Sequence, residues 1–269
     1  MKLPLCLAAA ALLSFAAPAS AGVTHNVNVG PGFSFGPANL SIDVGDTVLW
    51  TWVGGFHDVE SGTGGTPDGN FDSGAPTSVI GTTYSVTFDL AFLAANPMPG
   101  DLYPYYCAVH VSFGQVGNIQ VNQVPSGVLN YGACNSTAGS LQVVSGAPVV
   151  DTVFTIAAHD TSGTSPSGAT APLLLASLSP DPNFPCGTPI PGFGMAPPGG
   201  LGDLLIGVTP PNPLVQILGG IWSGAPVDIA LPMPNDSSLL GVSVYLQAIM
   251  ASAGSTRFTE GMRITIGSI

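Results

Sequence analysis

Positive charge is nearly missing from this chain. Lys2, Arg257 and Arg263 are its only lysine or arginine residues, set against fifteen acids, for a formal net charge of −12. A surface that grips phosphate needs several clustered cations, so nucleic acid is excluded as a partner, and anionic lipid for the same reason. Charged residues of both signs amount to only 7%, where soluble domains carry about a quarter. Long helices are excluded as well: 36 glycines and 26 prolines punctuate the 269 residues, and neither is tolerated in a helix interior. Wholesale disorder does not follow, because a hydrophobic content of 45% suffices for a core. The length admits one or two domains.

Only one stretch is apolar for long, and it lies at the start. Lys2 precedes the run from Leu3 to Ala17, and Ala19-Ser20-Ala21 has the small-x-small form of a cleavage site. This pattern predicts a signal peptide over 1–21. The run is too short for a membrane span and Pro18 interrupts its end. An exported protein without a transmembrane segment follows, placed in the periplasm, the cell envelope or the medium. Cleavage removes Cys6 and leaves Cys107, Cys134 and Cys186. Exported proteins pair their thiols, so an odd count singles one out. Cys134 and Cys186 lie in similar settings, Tyr131-Gly132-Ala133-Cys134 and Phe184-Pro185-Cys186-Gly187, and are assigned to a disulfide. Cys107, three residues before His110, is left as a thiolate.

The remainder reads as all-β. Short alternating segments at 23–29, 40–44, 47–53, 84–88 and 116–121 are separated by glycine and proline, as in a sandwich or barrel. One helical turn is expected at 90–95, closed by Asn96-Pro97. Pro125-Ser126-Gly127 marks a linker at 125–128. The domain reading is thus 22–124 followed by a second β-rich, sandwich-like module at 129–269. Strands of the second module are expected at 149–158, 172–177, 204–208, 227–231, 242–250 and 262–266, with 214–218 an apolar run of undecided type. A short helix capped by Asn235 or Asp236 is expected after Pro234.

The stretch Tyr105-Tyr106-Cys107-Ala108-Val109-His110-Val111-Ser112-Phe113-Gly114-Gln115 carries the most specific chemistry. It sets a Cys, a His three residues on, and a Gln five further. His57 lies upstream in Gly54-Gly55-Phe56-His57-Asp58-Val59. A blue-type copper site takes one thiolate and two imidazoles in a near-trigonal arrangement, with Met or Gln weakly bound on the axis. This inventory is present. His25 and His159 have no partner at ligand spacing and read as structural or surface residues.

The segment resembles the ligand loop of plastocyanin-like cupredoxins, Tyr-Cys-x-x-His-x-x-x-x-Met. Val44-Gly45-Asp46-Thr47-Val48-Leu49-Trp50 resembles the family's strand before its first ligand, and 27–35 with 37–40 its N-terminal hairpin. The resemblance covers about 23–121 and implies a Greek-key β-sandwich. It makes His57, Cys107 and His110 the equatorial copper ligands, the histidines binding through Nδ1. Gln115 falls where Met usually sits, an axial alternative found in stellacyanin-like members. Asp58 stands where Asn is common, and its implied role is to tie the two ligand loops together.

The resemblance implies one copper cycling between Cu(I) and Cu(II), and a protein that carries single electrons rather than an enzyme. Multicopper enzymes add histidines, often as His-x-His. Here there are four histidines in all and no such pair. Residues 22–124 contain eight acids and no lysine or arginine, so the expected partner is a basic redox protein, docking on an apolar rim of Ala108, Val109, Val111 and Phe113. The alternative is a copper-binding or cell-surface protein whose C-terminal module mediates adhesion, sorting or carbohydrate binding. That module is similar to Cys-paired β-modules at the C-termini of exported bacterial proteins.

Overall fold

The computed structural model describes residues 22–132, 134–210 and 214–269. The expected signal peptide at 1–21 lies outside the described residues. The chain forms two compact units, one of 22–124 with Ser268, the other of 125–267 with Ile269. No helix among the described residues is long and apolar enough to cross a membrane.

The first unit has nine strands: β1 (Thr24–Val29), β2 (Phe35–Gly36), β3 (Asn39–Asp43), β4 (Thr47–Trp52), β5 (Glu60–Thr63), β6 (Thr66–Asp72), β7 (Thr83–Thr87), β8 (Leu102–Tyr106) and β9 (Val116–Asn122). One sheet has the order β2-β1-β4-β7 and the other β3-β9-β8-β5-β6. β1 runs parallel to β4, and β3 parallel to β9, while the other pairs are antiparallel. The two sheets close on a core supplied by alternate residues. Val48, Trp50 and Trp52 of β4 point in, while Thr47, Leu49 and Thr51 are half-buried. Tyr103 and Tyr105 of β8 and Ile119 and Val121 of β9 come from the opposite sheet. Trp50 and Tyr105 meet edge to face across this core, with centroids 5.5 Å apart. Helix α1 (Leu90–Ala95) forms where expected: Asp89 caps it by accepting from the Phe92 N–H, and Asn96 closes it.

Three strands of this unit escape the alternation test. β5 and β6 form a hairpin through Gly64-Gly65, inside a stretch read as punctuation. Its sequence, Glu-Ser-Gly-Thr turning into Thr-Pro-Asp-Gly-Asn-Phe-Asp, has too few apolar residues to show a period. β8 contains Pro104 and follows Pro99-Gly100, which hides it in the same way.

The second unit has ten strands: β10 (Gly127–Tyr131), β11 (Leu141–Ser145), β12 (Val153–Ala158), β13 (Thr170–Ser177), β14 (Thr188–Pro191), β15 (Leu201–Leu204), β16 (Leu214–Leu218), β17 (Val227–Pro232), β18 (Ser243–Ser252) and β19 (Ser255–Thr265). They make an antiparallel sheet β10-β19-β18-β13-β16, a three-stranded sheet β11-β12-β17 and the hairpin β14-β15. Leu174, Leu246, Met262 and Ile264 of the larger sheet and Phe154, Ile156 and Leu231 of the smaller are buried.

Several boundaries differ from the sequence reading. β10 takes in Gly127 and Val128, which pair with Thr265 and Ile264, so the stretch read as linker already contains strand. β15 ends at Leu204, where a strand was expected to begin. β19 starts seven residues before Met262, because a tight turn at Ala253-Gly254 folds it directly back on β18. β11 and the proline-bearing β14 were not expected. The short helix is one 3-10 turn, Ser237–Leu239, with Asp236 accepting from the Ser238 N–H.

Cys134 and Cys186 form a disulfide, with Cα atoms 5.3 Å apart. The buried acids of this unit are consumed by the backbone. Asp160 accepts from the Ser162 and Ser165 N–H groups, Asp203 from that of Asn135, and Glu260 from that of Gly139.

Candidate metal centre

His57 follows β4 on the short link to β5. Its N–H donates to the Thr77 carbonyl, and its own carbonyl accepts from the Thr77 N–H and the Trp52 indole N–H, the latter at 2.9 Å. These bonds hold the backbone of a residue whose ring is buried. Gly55, at φ +89°, leaves the space into which His57 Nε2 fits, where a Cβ would collide with it.

Cys107 directly follows β8. The loop 107–115 is closed by its own backbone: Cys107 N–H donates to the Gln115 carbonyl, His110 N–H to that of Cys107, and Gln115 N–H to that of His110. Gly114 makes the return at φ 84°, a left-handed conformation. Asp58 Oδ1 accepts from the Ala108 N–H at 2.8 Å, so a residue of the His57 segment clamps the Cys107 loop.

Three donor atoms converge. Cys107 Sγ lies 3.8 Å from His57 Nδ1 and 3.5 Å from His110 Nδ1, and the two Nδ1 atoms are 3.1 Å apart. A point equidistant from the three sits about 2 Å from each, the length of a bond from a first-row metal to imidazole. His57 and Cys107 are buried, and His110 is half-buried. Among the described residues this is the only such cluster of histidine, cysteine and carboxylate side chains. His25 instead pairs with Asp46 at 2.8 Å, and His159 Nδ1 accepts from the Trp222 indole.

Gln115 is fully buried. Its Nε2 donates to the Ser34 carbonyl at 3.2 Å, and its Oε1 has no hydrogen-bond partner. An orphaned buried amide oxygen is costly, and a metal beside it would remove the cost. The electrostatics agree. Burial pushes the Cys107 thiol above its ordinary value, so without a cation nearby it holds its proton. Burial, together with the neighbouring His110, pushes His57 down and keeps it neutral, against smaller opposing effects of Gln115, the Gly54 backbone and Asp58. A neutral imidazole and a thiol that a metal can deprotonate are the states a soft cation requires.

Around His110 the surface is apolar. Val109 and Phe113 are exposed as the sequence suggests. Phe33, about half exposed, comes from another loop and was not anticipated. Phe33 stacks on the His110 ring. Nothing in the spacing of Gly32-Phe33-Ser34 signals this, because the contact forms only when the loop after β1 folds over the Cys107 loop.

Residues 21–122 match the family model of copper binding proteins of the plastocyanin/azurin family. The N-terminal unit is of cupredoxin type, and its cofactor is copper. Solved structures similar to this unit include a purple cupredoxin from Nitrosopumilus maritimus, 25% identical, covering 36% of this chain and 98% of that one with a TM-score of 0.29. Pseudoazurin from Methylobacterium extorquens AM1 is 26% identical, covering 37% and 75%, with a TM-score of 0.27. Oxidized plastocyanin from Dryopteris crassirhizoma is 21% identical, covering 36% and 100%, with a TM-score of 0.28. No curated protein matches the chain significantly.

Proposed function

We propose that this protein is an exported blue-copper electron carrier. His57 Nδ1, Cys107 Sγ and His110 Nδ1 hold one copper, and Gln115 Oε1 is the axial ligand in the stellacyanin manner. The observation that carries the reading is the meeting of three soft or borderline donors beside an unpartnered amide oxygen. Copper so held supplies a one-electron couple. The chain's own contribution is rigidity. Trp52 and Thr77 fix the His57 backbone, and Asp58 fixes Ala108, so the donors need not move when the charge changes.

His110 is the one donor near solvent, ringed by Phe33, Val109 and Phe113. A redox partner docks there, and the acidic unit favours a basic one. Transfer of an electron, rather than turnover of a substrate, suits a site whose other donors are buried. Export is supported by the apolar N-terminal run and by the disulfide. The deciding experiment is a titration of the metal-free protein with Cu(II), followed by visible absorption. An intense thiolate-to-copper band at one equivalent is expected, and it is lost in Cys107→Ser. A variant as strongly coloured as the wild type refutes the ligand set.

A further inference from the structure

The second unit holds a polar cavity of about 200 Å³ where β10 ends, lined by Asn130, Tyr131, Gly132, Ser136, Ala138 and Glu260. Two polar groups on its wall are unfinished. Glu260 is only 7% exposed. The backbone uses one of its oxygens: Oε1 accepts from the Gly139 and Leu141 N–H groups at 2.6 and 3.3 Å. Among the described residues no donor reaches Oε2, and no arginine or histidine pairs with the carboxylate. Ser136 Oγ is buried and has no hydrogen-bond partner. A buried carboxylate without a counter-charge and a buried hydroxyl without a partner are both costly. Gly132, at φ +96°, keeps the space beside them open, since a Cβ there would lie 3.1 Å from Ser136 Oγ and closer still to Leu205.

Charge, donor set and size narrow the occupant. Arg257 and Arg263 are the only lysine or arginine residues in 22–269, and neither pairs with Glu260. The compensating charge therefore comes from outside the chain. A neutral polyol would leave the carboxylate uncompensated. A cation of the calcium type takes six to eight oxygens, commonly from several carboxylates, and this cavity offers one. A volume of about 200 Å³ has room for roughly six or seven waters. That is too much for a bare ion, and less than the roughly 300 Å³ at which sites for drug-sized ligands begin. It suits a charged end group on a short stem.

We propose that this cavity binds a primary ammonium group carried on an alkyl stem. An ammonium has three N–H donors and no acceptor. Glu260 Oε2 accepts one as a charge-assisted hydrogen bond, and Ser136 Oγ accepts another. Asn130 spends its Nδ2 on the Leu141 carbonyl, which leaves its amide oxygen for the third. Tyr131 and Ala138 border the stem. A lysine side chain and a free alkyl amine share this chemistry.

The test is an NMR titration of the isotope-labelled full chain, its copper reduced so that the metal is diamagnetic. With n-butylammonium chloride, the amide signals of Gly132, Gly139 and Leu141 are expected to shift and saturate in the millimolar range. Butanol, with the same stem and no charge, should bind at least about tenfold more weakly. Glu260→Gln keeps an oxygen for the Gly139 and Leu141 N–H groups and should lose about tenfold or more in affinity. Its circular dichroism and disulfide check that it is folded. Ser136→Ala leaves those backbone bonds untouched and should lose several-fold. Nα-acetyl-lysine amide stands for a protein side chain and cadaverine for a free amine, and the tighter of the two identifies the source. The proposal is overturned if butylammonium gives no saturable shift, if butanol binds as tightly, or if folded Glu260→Gln keeps wild-type affinity. Should Glu260→Gln fail to fold, wild-type affinity in Ser136→Ala overturns it.

Discussion

The Phe33 ring lies against the His110 imidazole, with centroids 4.4 Å apart and planes 28° from parallel. Phe113 adds a second contact to Phe33 at 4.9 Å. The one donor that reaches the surface is thus covered by an aromatic ring from a different loop. Phe33 excludes water from one face of the ligand, and water stabilises the more highly charged oxidised metal. Phe33→Ala should therefore lower the reduction potential, by a few tens of mV, below the about 59 mV that equals a tenfold change for one electron. Phe33→Leu should keep most of the wild-type value. Voltammetry of the three proteins at matched pH and salt decides it, and equal potentials mean that the stack shields nothing.

As the proposed axial ligand, Gln115 offers an oxygen where the family's usual thioether is softer. A hard axial donor favours Cu(II), and the Asp58 carboxylate close by acts in the same sense. Gln115→Met should raise the potential by about 0.1 V, equivalent to roughly 2 kcal/mol for one electron. An unchanged value means that Oε1 faces away from the copper, and another group then satisfies it.

The cluster of His57, Cys107 and His110 was legible because its members sit in short, ordered strings: Cys107 and His110, followed by Gln115, on one loop, and His57 with Asp58 on another. Loops of that kind keep their geometry through their own backbone bonds, which spacing encodes. Strands with clean alternation were legible for the same local reason, as in Thr47–Trp52. The strands that escaped, such as β5 and β6, are stabilised by partners rather than by pattern. Ser61 Oγ donates to Asp68 and accepts from the Phe71 N–H, contacts that no period in the sequence announces. Phe33 escaped because its role depends on two loops distant in the chain.

Copper binding should release a proton near neutral pH. Burial raises the Cys107 thiol and lowers His57, so the metal-free site carries its exchangeable proton on sulfur. Below the thiol's raised value and above the lowered value of His57, the logarithm of the copper association constant should climb with a slope of about one per pH unit. Competition titrations against a chelator across about pH 7 to 8, between the ordinary histidine and thiol values, measure it. A flat profile would mean that the thiol is ionised before copper arrives.

Acid stability of the cupredoxin unit should depend on Asp46. Its burial alone raises the carboxyl, but hydrogen bonds from His25 and from the Asp43 and Val23 N–H groups outweigh that and lower it below its ordinary 3.8. A group depressed in the folded state contributes stability that is fully present above its unfolded value. That contribution is lost as pH falls through the lower folded value. Asp46 therefore helps the unit at neutral pH, and that help fades progressively as the pH falls below about 4. Asp46→Asn removes the titration and weakens the clasp that holds His25 on β1 and the start of β4. The variant should be less stable than wild type at pH 7, and the gap should narrow as the pH approaches 3. Urea unfolding of the metal-free protein at both pH values tests this, since Trp50 and Trp52 lie in the core of the same unit and report through fluorescence. A stability difference that stays constant between the two conditions would assign the loss to packing rather than to the charge of Asp46.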